Sequence, residues 1–315
     1  MRCEVSGKAD HSKWHFDGNS ADDWMAPFWM KNNADDGTGR VWDADYLMVC
    51  GEKEVLMESY LWTSYTPCST KTLRFTAECG SRPAPAPAPP VRGTVYVTNN
   101  APMQGTCQTP VWVGVHDGSF DLYDRGAPIS SALEPLAEDG NNAPIIADFA
   151  DAAGGVFDGT VGGAPICPGE TVELPFEFTL LPGVTHYFSY ASMVLPSNDA
   201  FVANGNPKAH PIFTSGGNFA NTLFTVGGDE VLDAGSEVND EKPYNTAFFG
   251  QTTPNTGVDE HGVIELHPGF LPVGSGGILD DSSFSAGDFT ASGYTVMTVC
   301  VALEGDEDRC GVYQY

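Results

Sequence analysis

The stretch SRPAPAPAPPVRG, residues 81–93, constrains this chain more than any other. Alternating Pro and Ala cannot sustain a sheet ladder or a helix interior and favours extended polyproline II, a semi-rigid spacer. The chain must therefore fold as separate pieces: a small module over 1–80, a linker over 81–92 and a larger module over 93–315. With 315 residues in all, the larger piece has enough chain for a sizeable core. The eight cysteines obey the same division, with Cys3, Cys50, Cys68 and Cys79 before the linker and Cys107, Cys167, Cys300 and Cys310 after it. None forms a CxxC pair, which argues against a zinc ribbon and for disulfides made in an oxidising compartment. Three pairings are open within each set. Closeness in sequence favours Cys300 with Cys310, leaving Cys107 with Cys167.

Each module reads as β. The chain's 36 Gly and 23 Pro punctuate short apolar runs rich in Val, Thr, Phe and Tyr. The small module carries three candidate strands, 40–50, 54–65 and 72–79, and reads as a small β-rich domain pinned by two bridges. The large module carries eight: 93–99, 110–116, 171–178, 185–194, 200–203, 222–226, 262–267 and 294–303. Eight strands with long loops predict an all-β antiparallel sandwich. One segment differs. In ISSALEPLAEDG, residues 129–140, Ser131 and Glu134 have capping-box spacing, and Leu133, Leu136 and Ala137 share a helical face before Gly140.

The charge balance narrows the partners. Forty-two acids against 14 bases give a net charge of −28, the wrong sign for nucleic acid or an anionic membrane surface. No apolar run reaches the roughly 18 residues of a membrane span, so membrane insertion is not expected. The N-terminal stretch MRCEVSGKADHSKWHFDG lacks the apolar core of a secretory signal. If the protein is exported, this chain is expected to be the form left after a leader is removed.

Most of the carboxylates need no explanation beyond a solvated surface, but three clusters in the large module concentrate oxygen donors. They are Asn198–Asp199 within SMVLPSNDAFVANGNP, the loop DEVLDAGSEVNDE over 229–241, and Glu138–Asp139 at the end of the short helix. Calcium wants six to eight oxygens from carboxylates, amides and carbonyls on loops able to wrap it. The 229–241 loop supplies that chemistry through Asp233, Glu237, Asn239 and Asp240, without the spacing of an EF-hand.

Three motifs in the same order resemble the spondin N-terminal domain family, over roughly residues 93–303. VWVGVHDGSFDLYDRGAPISSALEPLAEDGNNAPI carries His116, Ser119, Phe120, Gly126, Leu133, Leu136, Ala137, Glu138 and Gly140 at the family's positions; SMVLPSNDAFVANGN and DAGSE match its two later motifs. The variants HDGSF, LAEDG and EVND are more similar to free-standing microbial members than to animal matrix proteins. The resemblance implies an eight-stranded antiparallel sandwich of C2-like topology that binds Ca2+ at loops on one end. By motif the ligands would be Asp199, Asp233 and Glu237, with Glu138 matching a glutamate tied to an adhesion-type site. Two departures stand out: Asn198 replaces the family's Pro, and Ala200 replaces a Trp expected on the surface beside the metal loop.

Catalytic signatures are absent from the sequence. There is no GxSxG elbow, HExxH or HxH spacing, and the glycine runs VGGA and VGSGGI lack a P-loop lysine. His116, His186, His210, His261 and His267 read as isolated, internally satisfied side chains. The expectation is an extracellular or cell-surface protein that is not an enzyme: a calcium-binding adhesion or structural module whose partner is a protein, a polysaccharide or another copy of itself. Two alternatives stand beside it, an accessory subunit of a larger assembly and a secreted metal-dependent enzyme.

Overall fold

The chain divides at the Pro/Ala stretch into two units, Met1–Pro87 and Ala88–Tyr315. The computed structural model describes residues 30–34, 41–44, 51–61, 66–77, 89–220 and 222–311. In the first unit, β1 (Met30–Ala34) pairs antiparallel with β2 (Val41–Ala44), and β3 (Gly51–Leu61) with β4 (Thr66–Ala77). The segments expected at 40–50, 54–65 and 72–79 overlap β2, β3 and β4, whereas β1 was not anticipated. The pairing of Cys3, Cys50, Cys68 and Cys79 lies outside the described residues.

The second unit is built on β5 (Val91–Asn99), β6 (Cys107–Gln108), β7 (Val111–His116), β8 (Gly155–Val161), β9 (Thr171–Phe178), β10 (His186–Leu195), β11 (Ala200–Ala203), β12 (His210–Phe213), β13 (Leu223–Gly227), β14 (Leu232–Asp233), β15 (Glu265–Leu266) and β16 (Thr295–Leu303). All pairings are antiparallel, in two sheets. The smaller runs β13-β16-β5-β9; the larger runs β15-β14-β11-β10-β7-β8, with β6 and β12 also on β10. The all-β fold expected from composition is therefore what the chain forms. The strand count is not: eight were expected and twelve occur among the described residues, because β6, β8, β12 and β14 escaped the sequence reading.

Strand alternation explains how the layers stack. Successive side chains point to opposite faces, so in β7 Val113 and Val115 turn inward while Trp112 turns outward. In β10, Phe188 and Tyr190 face in, and Ala191 faces out. The inward set meets Val95 and Val97 of β5, Phe176 and Phe178 of β9, and Val299 and Val301 of β16 in one core between the sheets. The outward set is covered in turn by α1 (Glu134–Asp139) and α2 (Ala143–Ala150), through Leu133, Leu136, Ala137, Ile145 and Phe149. Both faces of β7 and β11 are thus buried along their whole length. The bridges Cys107–Cys167 and Cys300–Cys310 form as expected; the second ties the chain end across Tyr96 and Ala302.

Helix α1 begins later than its sequence suggests. Leu133 precedes it, Pro135 lies in its first turn, and Ser130 rather than Ser131 accepts the Leu133 amide, at 3.2 Å. A Pro near the helix start sacrifices no helical hydrogen bond, since the first amides lack partners in any case.

Candidate functional site: a buried carboxylate cluster

Pro196 ends β10, and the four residues before β11 make a turn stapled from within. The Ser197 hydroxyl donates to the Val194 carbonyl at 2.6 Å and accepts from the Ala200 amide at 3.1 Å. The Asn198 carboxamide oxygen accepts from the Glu241 amide at 3.2 Å, so its job is to hold the neighbouring loop. Asp199 follows, fully buried. Its Oδ2 accepts three hydrogen bonds, from the Ser236 amide (2.9 Å), the Ser236 hydroxyl (3.1 Å) and the Glu237 amide (2.9 Å). Its Oδ1 is buried with no partner.

The donors come from the DAGSE turn, and its sequence dictates that shape. Asp233 is register partner to Ala200 across β11 and β14. Its Oδ1 accepts from the Gly235 amide at 2.8 Å, an Asx-type turn. Gly235 sits at φ +66°, where a side chain would be strained, and a Cβ there would also press on the Val263 backbone. The turn delivers the amides of residues 236 and 237 to Asp199 and swings Glu237 into the interior. Glu237 Oε1 accepts from the Gly257 amide at 2.9 Å, and Oε2 is buried without a partner. A Cβ at position 257 would overlap the Glu237 carboxylate, so only glycine leaves that carboxylate where it is.

Glu138, buried on α1, completes the group, with the Ser236 hydroxyl beside its carboxyl. Electrostatics follow from this crowding. Burial, reinforced by the charge of Asp233, pushes the Asp199 carboxyl up to about 7 against the pull of the residue 236 and 237 amides. Burial and the charge of Glu138 push Glu237 up to about 8, with Asp199 adding to the effect and the Gly257 amide opposing it. Glu138 is also raised, first by burial and then by Glu134, Asp139 and Asp259.

The four residues singled out in the sequence therefore meet. Their roles differ from one another. Asp199 and Glu237 present oxygens without donors, whereas both oxygens of Asp233 are engaged. The second of these, Oδ2, accepts from the Asn239 amide nitrogen at 2.6 Å. Asn239 in turn faces His267 Nε2 at 3.2 Å, and His267 Nδ1 accepts from the Gly269 amide at 3.0 Å. That arrangement puts the ring proton on Nε2, and burial holds His267 down at about 4. Among the described residues no group of three or more His, Cys, Asp or Glu side chains is arranged so that it alone could hold a metal ion. The two atoms of the cluster left without a hydrogen-bond donor, Asp199 Oδ1 and Glu237 Oε2, are nevertheless both carboxylate oxygens, the chemistry a hard cation takes. Buried polar atoms are nearly always hydrogen-bonded, so two orphan carboxylate oxygens in one acidic cluster call for a proton or a cation.

Three features were not read from the sequence. Ser236 and Gly257 shape the cluster, but neither residue type signals such a role. Glu241 is buried and clamps a loop by accepting from the Leu271 and Ile278 amides, the latter at 2.7 Å. Ala200 is fully buried, so the position where an exposed aromatic was expected is interior here. The histidine expectation holds only in part: His186 keeps a buried Nδ1 without a partner, and His261 is exposed. His116 bonds Ser189 at 2.8 Å and the Gly118 amide at 3.0 Å in the core, and His210 stacks on Phe224 with centroids 3.7 Å apart.

No family model matches the chain, and no curated protein matches it.

Proposed function

We propose that the second unit is a calcium-stabilised, extracellular interaction module of the spondin type, in which the cation replaces protons in the cluster of Asp199, Asp233, Glu237 and Glu138. One observation carries this reading: Asp199 Oδ1 and Glu237 Oε2 are both buried and both lack a hydrogen-bond donor. Asp199 and Glu237 would hold the ion through those oxygens, and Asp233 and Glu138 would supply further negative charge. A bound divalent cation removes the mutual repulsion of carboxylates that burial otherwise keeps protonated. Extracellular calcium modules commonly bind at about 10⁻⁴ to 10⁻³ M, so a structural site need not be tight. The two disulfides fit an oxidising compartment. The resemblance in motif order supports the spondin assignment, and its C2-like topology remains part of the same proposal.

The test is thermal melting in calcium and in EDTA. Calcium should raise the melting temperature saturably. Above pH 7, where the native carboxyl ionises, Asp199→Asn should raise it in EDTA by removing a buried charge, and at any pH it should abolish the calcium response. Coincident curves in calcium and EDTA would reject the proposal.

A further inference from the structure

A cavity of about 450 Å3 opens beside the carboxylate cluster, and we propose that it binds a neutral saccharide. Its volume lies within the roughly 300–1,000 Å3 of ligand pockets. The floor is Leu195 and Ala247, packed with Met193 over the Cys107–Cys167 bridge, so it is apolar and covalently braced. One wall is the loop carrying Gln251, Thr252 and Thr253, side chains that both donate and accept hydrogen bonds, as sugar hydroxyls do. That loop is fixed at two points: Asp139 accepts from the Asn255 amide (3.1 Å to Oδ2), and Glu237 accepts from the Gly257 amide (2.9 Å).

Phe248 supplies the specific feature. It lines the cavity, leaves half its surface in solvent and sits at φ +61°, a backbone region bulky side chains avoid. A single exposed aromatic is ordinary. This one meets Phe284 edge-on, with ring centroids 6.3 Å apart, yet its backbone is strained, and an outlier of that kind points to use. A flat ring packs against the apolar C–H face of a pyranose while the hydroxyls at its rim reach amide and hydroxyl groups. The ligand's charge follows from the lining, which contains Asp139 and no Lys, Arg or His. With a net charge of −28 around it, the site disfavours phosphate, sulfate and uronate groups. A protein segment would bring backbone amides that need partners, and the wall offers side chains rather than an open strand edge.

This proposal deepens the interaction reading by naming its partner class, and it stands on a different site, so the two fail separately. The full chain is titrated calorimetrically with short cello-, manno-, xylo- and β-gluco-oligosaccharides, with a sulfated oligosaccharide as the anionic control. The neutral series should contain a ligand, and the sulfated control should not bind. Phe248→Ala should weaken binding by about tenfold or more, the scale of a central aromatic contact. Gly163→Trp provides a second variant: nothing lies within 4 Å of a Cβ at that position, so the indole can fill the cavity without displacing the fold. It should abolish binding while leaving the melting temperature unchanged. Absence of binding across the neutral series, or binding indifferent to both substitutions, would overturn the proposal. Saccharide binding retained in a protein whose melting ignores calcium would overturn the cation reading alone.

Discussion

Asp199 and Glu237 are acids placed where water cannot solvate them, and that makes their protonation part of the folding equilibrium. Their carboxyls are raised from 3.8 to about 7 and from 4.5 to about 8. Between those limits the folded protein binds more protons than the unfolded chain, so stability falls as pH rises. Histidines act in the opposite sense. Burial lowers His116, His210 and His267 from 6.5 to about 4, so over that interval the unfolded chain binds more protons and stability rises with pH. The effects oppose one another below pH 6.5, and above it the carboxylates act alone. In EDTA the melting temperature should therefore fall between pH 6.5 and 8, and saturating calcium should flatten the decline. A melting temperature that climbs across this interval in EDTA would show that the cluster is already ionised. At this scale the sequence singled out acids that the fold brings together, because PSND and DAGSE group oxygens at a strand end and a tight turn. It could not reveal which oxygens stay unpaired. That depends on Ser236 and Gly257, whose contributions are an amide and the lack of a side chain.

Among the elements, β10 organises the second unit, pairing with β6 and β7 along one edge and β11 and β12 along the other. It was legible because it runs for ten residues with apolar side chains such as Phe188, Ala191 and Val194 on both faces. By contrast, β6 and β14 are two residues each and β12 four, too short for alternation to register. The half-buried edge strand β8 contains two glycines, and α2 follows α1 too closely to stand out as a second helix. The start of α1 was misplaced because Ser131 has ideal capping-box spacing, yet Pro135 and the Ser130 contact shift the first turn. Substitution separates the two serines. Ser130→Ala should cost about 0.5–1 kcal/mol in urea denaturation, the usual loss for a cap, while Ser131→Ala should be nearly neutral. Equal losses would place the helix start where the sequence alone puts it.

For the whole molecule, the sequence predicted the division at the Pro/Ala stretch and both bridges of the second unit, because closeness in the chain limited one pair and elimination the other. The strand count and the second helix came only with the coordinates. The net charge of −28 now has a specific consequence as well as a general one. Spread over the surface it favours solubility and disfavours polyanions; gathered at Asp199, Asp233, Glu237 and Glu138 it leaves two buried carboxylate oxygens that need a proton or a cation. The most direct measurement is a calorimetric titration of calcium into chelator-stripped protein near pH 7, repeated in buffers of different ionisation enthalpy to count protons. Saturable binding that expels protons, and that disappears in an Asp199→Asn, Glu237→Gln double variant, is the predicted result. Neither heat nor proton release from the native protein, or a double variant that binds calcium as well as the native chain, would contradict it.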